Sequence, residues 1–155
     1  MSGGLHSDLH KQTTQDSAEN RGEQLSNVRI LLADDNTAFL DYVSRTLDAD
    51  YQVIGRVADG DSVCSEVKKL KPDVLVLDIS FGEYSGIEIA LQLREQGYAG
   101  EIVFLTVHED LDFVNAAIGA GGRGYVIKSR MNIDLELALR AVLAHQVFIS
   151  PLRQD

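Results

Sequence analysis

Five short apolar runs punctuate this chain, and a stretch with helical spacing follows each of them. The first, Val28-Arg29-Ile30-Leu31-Leu32-Ala33, stops at Asp34-Asp35, and Phe39, Tyr42, Val43 and Leu47 then recur at helical intervals with Asn36 placed to cap. Gln52 to Val57 reads as the second strand and Asp61 to Leu70 as the second helix, broken at Lys71-Pro72-Asp73. Val74-Leu75-Val76-Leu77 ends at Asp78, and Ile87, Ala90, Leu91 and Leu93 mark a third helix stopping near Gly97. Ile102-Val103-Phe104-Leu105 ends at Thr106, before a helix marked by Leu111, Val114, Ala117 and Ile118. Tyr125-Val126-Ile127 ends at Lys128, and a fifth helix runs from Ile133 to His145. Strands apolar throughout are strands covered on both faces. Helical crossovers between them imply a parallel sheet with right-handed connections. The pattern predicts a doubly wound α/β domain with a five-stranded sheet in the order 2-1-3-4-5.

The boundaries follow from composition. Residues 1–27 are polar and charged, and Leu5, Leu9 and Leu25 show no sustained period, which predicts a disordered leader. Residues 28–151 form the domain, and 152–155 are a tail too short for a helix-turn-helix unit. The formal net charge of -10 disfavours direct binding to nucleic acid. The single cysteine, Cys64, has no partner for an internal disulfide and lies on a helical apolar pattern. No apolar run is long enough to span a membrane, and the N-terminus lacks a signal-peptide segment, so a cytoplasmic location is expected.

What ends each strand carries the chemistry. Sites in doubly wound sheets form at the carboxyl ends of strands, where strand order reverses. For the order 2-1-3-4-5 that point lies between strands one and three, so Asp34-Asp35 and Asp78 face each other, with Thr106 and Lys128 closing the far side. Taken singly, Asp34 or Asp35 is a helix cap, Asp78 a loop carboxylate and Lys128 a solvated charge. Acids, hydroxyl and lysine falling in order at successive strand ends are a site. Three close carboxylates repel one another, and a hard cation such as Mg²⁺, which prefers oxygen ligands, relieves this. Phosphoryl transfer onto Asp78 would need the charge on three equatorial oxygens offset, by the cation, the Lys128 ammonium and the Thr106 hydroxyl.

The strings Ile30-Leu31-Leu32-Ala33-Asp34-Asp35, Val74-Leu75-Val76-Leu77-Asp78, Leu105-Thr106 and Gly124-Tyr125-Val126-Ile127-Lys128-Ser129 resemble the response-regulator receiver family, of flavodoxin-like fold. The resemblance covers about Val28 to Pro151. Asp78-Ile79-Ser80, Thr106-Val107-His108-Glu109-Asp110 and Phe148-Ile149-Ser150-Pro151 look like its NarL/FixJ-type subclass. It implies that Asp78 accepts a phosphoryl group from a phosphohistidine of a histidine kinase or phosphotransfer protein. Asp35, Asp78 and the Ser80 carbonyl would hold Mg²⁺ directly, and Asp34 would act through a metal-bound water. Lys128 would pair with Asp78 at rest and with the phosphoryl group afterwards. Thr106 and Tyr125 would be the switch pair: Thr106 swings to the phosphate and Tyr125 fills the space, repacking helix four and strand five. Such a protein is a phosphoacceptor switch, not an enzyme turning over a separate substrate.

Two departures from the family pattern stand out. Gly82 and not Pro lies four residues after Asp78, which predicts a looser loop. Val107 is bulkier than the small residue many receivers carry there, which predicts restricted access for small donors and water. The fifth helix carries apolar residues on more than one face, from Leu135 to Ala144, read equally well as a thick core contact or as an association face for a second copy or an output domain. Tyr125, with the helix-four and strand-five face, would add to that surface. Other readings fit less well. A partner-binding module without phosphorylation has no use for the acidic set. A haloacid-dehalogenase-like phosphatase needs a second acid where Ser80 stands, and a flavin carrier needs a phosphate-cradling loop where Asp34-Asp35 would repel it.

Overall fold

The computed structural model describes residues 27–152. Among them a parallel sheet runs in the order β2-β1-β3-β6-β7-β8. Its strands are β1 (Arg29–Ala33), β2 (Gln52–Val57), β3 (Val74–Leu77), β6 (Glu101–Thr106), β7 (Gly124–Ile127) and β8 (Phe148–Ile149). Strands β4 (Ser80–Phe81) and β5 (Tyr84–Ser85) pair separately as an antiparallel hairpin. The helices are α1 (Thr37–Leu47), α2 (Val63–Leu70), α3 (Gly86–Glu95), α4 (Leu111–Gly119) and α5 (Met131–Leu143). The leader read at 1–27 lies outside the described residues, apart from Asn27 itself.

Local sequence explains the element ends. The Asn36 side chain accepts from Phe39 N–H at 3.0 Å and caps α1 as its position predicts. Lys71 ends α2 in a left-handed conformation (φ 49°), before Pro72, which cannot continue a helix. The second helix is shorter than its pattern, because Gly60–Ser62 forms a 3-10 turn ahead of Val63.

The sheet divides the core in two. Leu31, Leu75, Leu77, Ile102 and Phe104 face α2, α3 and α4, alongside Val67, Leu93 and Val114. Ile30, Leu32, Val74, Val76 and Val103 face α1 and α5, alongside Leu40, Leu135 and Leu139. Alternate residues of one strand thus feed opposite cores, which is why these runs are apolar at every position.

The structure adds to the expected pattern at three places. The sheet has a sixth strand: Phe148 and Ile149 pair with Gly124 and Tyr125. Two residues are too few for a periodic pattern, and backbone bonds at either end, Phe148 N–H to Arg123 O and Ser150 N–H to Tyr125 O, define the strand. The loop after Asp78 closes into the β4–β5 hairpin, with Ser80 opposite Ser85 and Phe81 opposite Tyr84. Gly82 takes φ +62° at the first turn position, the sign that primed hairpin turns require there and that proline cannot adopt. The α5 apolar set divides between the two readings: Leu135, Ala138, Leu139 and Val142 are buried in the core, whereas Leu137 and Ala144, with Ile133 one turn before, are exposed.

Candidate functional site

Register brings the site together. Ala33 of β1 lies opposite Leu77 of β3, so Asp34 and Asp78, one residue further on, are neighbours. Asp78 N–H donates to the Ala33 carbonyl at 3.1 Å. The chain leaves β1 for β2 on one side of it and later returns to β3 on the other, which makes this gap the switch point of the sheet. Thr106 lies opposite Ile127, and Lys128 follows Ile127.

Asp34, Asp35 and Asp78 each offer a carboxylate oxygen, and these oxygens lie within 4.8 Å of one another. Asp34 and Asp78 are 4% and 5% exposed, while Asp35 stands in solvent. The Lys128 ammonium bridges the buried pair, 2.7 Å from Asp34 Oδ2 and 3.0 Å from Asp78 Oδ2, and lies 4.4 Å from the centre of the Phe39 ring. Backbone donors hold the remaining oxygens: Asn36 N–H to Asp34 Oδ1 at 2.9 Å, Ser80 N–H to Asp78 Oδ1 at 3.3 Å, and Gly82 N–H to Asp35 Oδ2 at 3.1 Å. The last bond ties the hairpin to the acidic pair.

Burial pushes the Asp34 carboxyl above its ordinary 3.8, against the Lys128 and Asn36 hydrogen bonds that pull it down. Burial likewise opposes the charge on Lys128. Its bonds to Asp34 and Asp78, with their charges, outweigh that, and its pKa is raised.

Gly86 marks where the turn into α3 presses on the backbone at Asp78. A Cβ there would lie 1.9 Å from the Asp78 carbonyl oxygen, so no other residue fits without moving the backbone.

Thr106 and Tyr125 are both fully buried. The Thr106 hydroxyl accepts from His108 N–H at 3.4 Å, and the Tyr125 hydroxyl donates to the His108 carbonyl at 2.8 Å. His108 thus links the two expected switch residues. Its ring stacks on Phe113 at 4.2 Å, and its Nε2 lies 2.6 Å from Ser80 Oγ. Tyr125 already occupies an interior position and adds nothing to the protein surface, which corrects its reading as part of an association face. Burial first, then the charges of Asp110 and Asp78, raise its phenol above the ordinary 10.0. Val107 is exposed, one residue past Thr106.

Sequence reading placed all four charged residues of the cluster. It named His108 only within a motif, and gave Phe39 and Gly86 no part in the site. Gly86 left a trace in the sequence, a glycine at the very start of a helical pattern.

The response regulator receiver domain family matches residues 30–140. This chain belongs to the response regulator receiver family. As a receiver it is 29% identical over 126 residues to the transcriptional regulatory protein YvfU of Bacillus subtilis, covering 80% of this chain and 63% of that protein. It is 31% identical to the response regulator GacA of Pseudomonas viridiflava, covering 80% of this chain and 59% of that one. This receiver therefore spans about three fifths of these curated relatives. A LuxR-family two-component response regulator from Aurantimonas sp. SI85-9A1 matches in structure with a TM-score of 0.77 at 30% identity, covering 81% of this chain and 91% of that one. The relatives agree with the NarL/FixJ-type subclass that the motifs suggested. A CheY-like receiver of Methanospirillum hungatei JF-1, 23% identical with a TM-score of 0.70, supports the fold. Among the described residues no helix is long and apolar enough to cross a membrane.

Proposed function

We propose that Asp78 is the phosphoacceptor of this receiver and that the phosphoryl group comes from a phosphohistidine of a histidine kinase or phosphotransfer protein. The observation that carries this reading is the buried Asp34–Asp78 pair joined by the Lys128 ammonium, with Asp35 completing a cluster of oxygens within 4.8 Å. An Asp78 carboxylate oxygen attacks phosphorus, the nitrogen–phosphorus bond breaks, and an acyl phosphate forms while the bonding pair stays with the imidazole. Lys128, already 3.0 Å from Asp78 Oδ2, has a short path from the carboxylate to a phosphoryl oxygen.

The donor set fits Mg²⁺, being hard oxygens from several carboxylates with excess negative charge. Asp35, Asp78 and the Ser80 carbonyl would hold it, with Asp34 acting through a metal-bound water. When bound, it supplies positive charge against the phosphoryl oxygens and the carboxylate repulsion. Thr106 would take a further phosphoryl oxygen by giving up its contact with His108 N–H. Because Tyr125 is bonded to the same residue, that movement alters the packing of α4 and β7. The consequence would be a changed surface for a second copy, an output domain or another partner, and Ile133 and Leu137 are exposed apolar residues on the neighbouring face of α5.

Intact mass after incubation with Mg²⁺ and a phosphorylated histidine kinase tests the reading. One phosphoryl increment, dependent on Mg²⁺ and absent in Asp78→Asn, is expected. An increment that survives in Asp78→Asn sinks the assignment. In the same assay with a small phosphodonor, Val107→Ala is expected to react faster than wild type, and slower or equal reaction removes the access argument.

A further inference from the structure

The ammonium of Lys128 is held by Asp34 and Asp78, while the residues on either side of it are held by other groups. Lys128 opens a 3-10 turn, Lys128–Arg130, between β7 and α5. On one side of it, Ile127 N–H donates to Ser150 Oγ at 3.1 Å. On the other, Arg130 Nε donates to Asp134 Oδ2 at 2.7 Å. Ser150 Oγ donates to that same oxygen of Asp134 at 2.8 Å. Two anchors therefore bracket Lys128, and both end on one carboxylate oxygen.

Ser150 is 1% exposed and Asp134 2% exposed. A buried carboxylate is costly unless paired and hydrogen-bonded, and an acid serving only the α5 N-terminus could stay in water. Ile127 N–H, at the strand's last position, is satisfied by a side chain from beyond β8, and Ser150 N–H in turn donates to the Tyr125 carbonyl.

We infer that Asp134 and Ser150 are positioning residues for Lys128: through Ile127 and Arg130 they fix where its side chain leaves the backbone. The inference rests on the phosphoacceptor reading above. A small misplacement of a transferring group's partner costs rate steeply, so loosening either anchor slows phosphorylation.

Ser150→Ala removes both hydroxyl bonds and leaves the backbone bond to Tyr125 in place. Asp134→Asn keeps the volume and an acceptor oxygen but loses the charge, and it serves as the second variant should Ser150→Ala fold poorly. Both are compared with wild type for the rate of Mg²⁺-dependent phosphorylation by a kinase, followed by intact mass. Leu93→Val, which thins the core on the opposite face of the sheet, controls for loss of stability alone. Ser150→Ala is expected to react roughly tenfold more slowly than wild type. Its Lys128 amide resonance should be displaced before any donor is added, whereas Leu93→Val should leave rate and resonance unchanged. A wild-type rate in the Ser150 and Asp134 variants, or an unmoved Lys128 amide, overturns the inference, as does equal slowing in Leu93→Val. Asp78→Asn runs in parallel. If it still gains a phosphoryl group, the phosphoacceptor reading is what has failed.

Discussion

At the scale of single residues, this site separates groups that hold charge from groups that are kept neutral. Lys128 stays protonated because two carboxylates outweigh its burial. Tyr125 is the converse case, a phenol whose ionisation is opposed by burial and by neighbouring negative charge. This has a consequence for stability. The folded-state pKa of Tyr125 is raised above the unfolded value of 10.0, so the folded protein keeps a proton that the unfolded chain loses. The associated stability is fully present below pH 10.0 and is lost as pH rises through the folded value. Urea denaturation on either side of that pH should show wild type losing stability more steeply than Tyr125→Phe, by up to about 1.4 kcal/mol per pH unit. Parallel slopes would mean that Tyr125 titrates alike in both states. Tyr51 and Tyr98 are also raised, chiefly by burial, so part of the alkaline decline should persist in the variant.

At the scale of elements, the β4–β5 hairpin and the start of α3 decide how Asp78 is presented. Gly82 supplies a positive φ and an N–H for Asp35, and Gly86 supplies room beside the Asp78 carbonyl. Gly82→Ala should cost about 1 kcal/mol through its left-handed backbone alone. Gly82→Pro, although it restores the residue usual in the family, should cost about 3 kcal/mol, because its locked φ and missing N–H break both the turn and the bond to Asp35. Gly86→Ala should cost at least as much, since the obstructing atom is backbone. Chemical denaturation of the three variants checks the order, and Gly82→Pro as stable as wild type would sink the hairpin argument. The contrast also explains what the sequence left illegible. The five principal strands and five helices were readable because each carries an apolar run or a helical repeat. Asp34, Asp78, Thr106 and Lys128 were readable because each ends such a pattern. The hairpin and β8 each rest on two-residue strands, too short to leave a period behind. Asp134 was missed, and Ser150 was named only within a motif, for a related reason. A buried polar pair drawn from a helix and the segment after a strand has no spacing of its own, and nothing local marks Asp134 as inward-facing.

At the scale of the whole molecule, the two cores are complete on both faces of the sheet, so the site can carry uncompensated charge at its edge without unfolding the domain. Asp34 and Asp78 share the single Lys128 ammonium, and Asp35 adds a third carboxylate within 4.8 Å. That excess should make global stability responsive to a divalent cation. A ligand that binds the folded state alone adds about 2.7 kcal/mol when present at a hundredfold over its dissociation constant. The unfolded chain keeps Asp34 and Asp35 adjacent but separates Asp78 from them, so it cannot reproduce the cluster. Asp35 is the member best suited to separate this effect from packing, because it is exposed while its neighbours are buried. Asp35→Asn keeps a carbonyl oxygen for the Gly82 N–H, so its stability without Mg²⁺ should match wild type to within about 0.5 kcal/mol. Its gain on adding Mg²⁺ should largely disappear. Thermal denaturation of both proteins with Mg²⁺ and with a chelator decides the matter. An equal rise in Tm for wild type and Asp35→Asn would place the cation's effect elsewhere on a surface of net charge -10. A rise confined to wild type would tie the stability of the whole fold to the cluster of Asp34, Asp35 and Asp78.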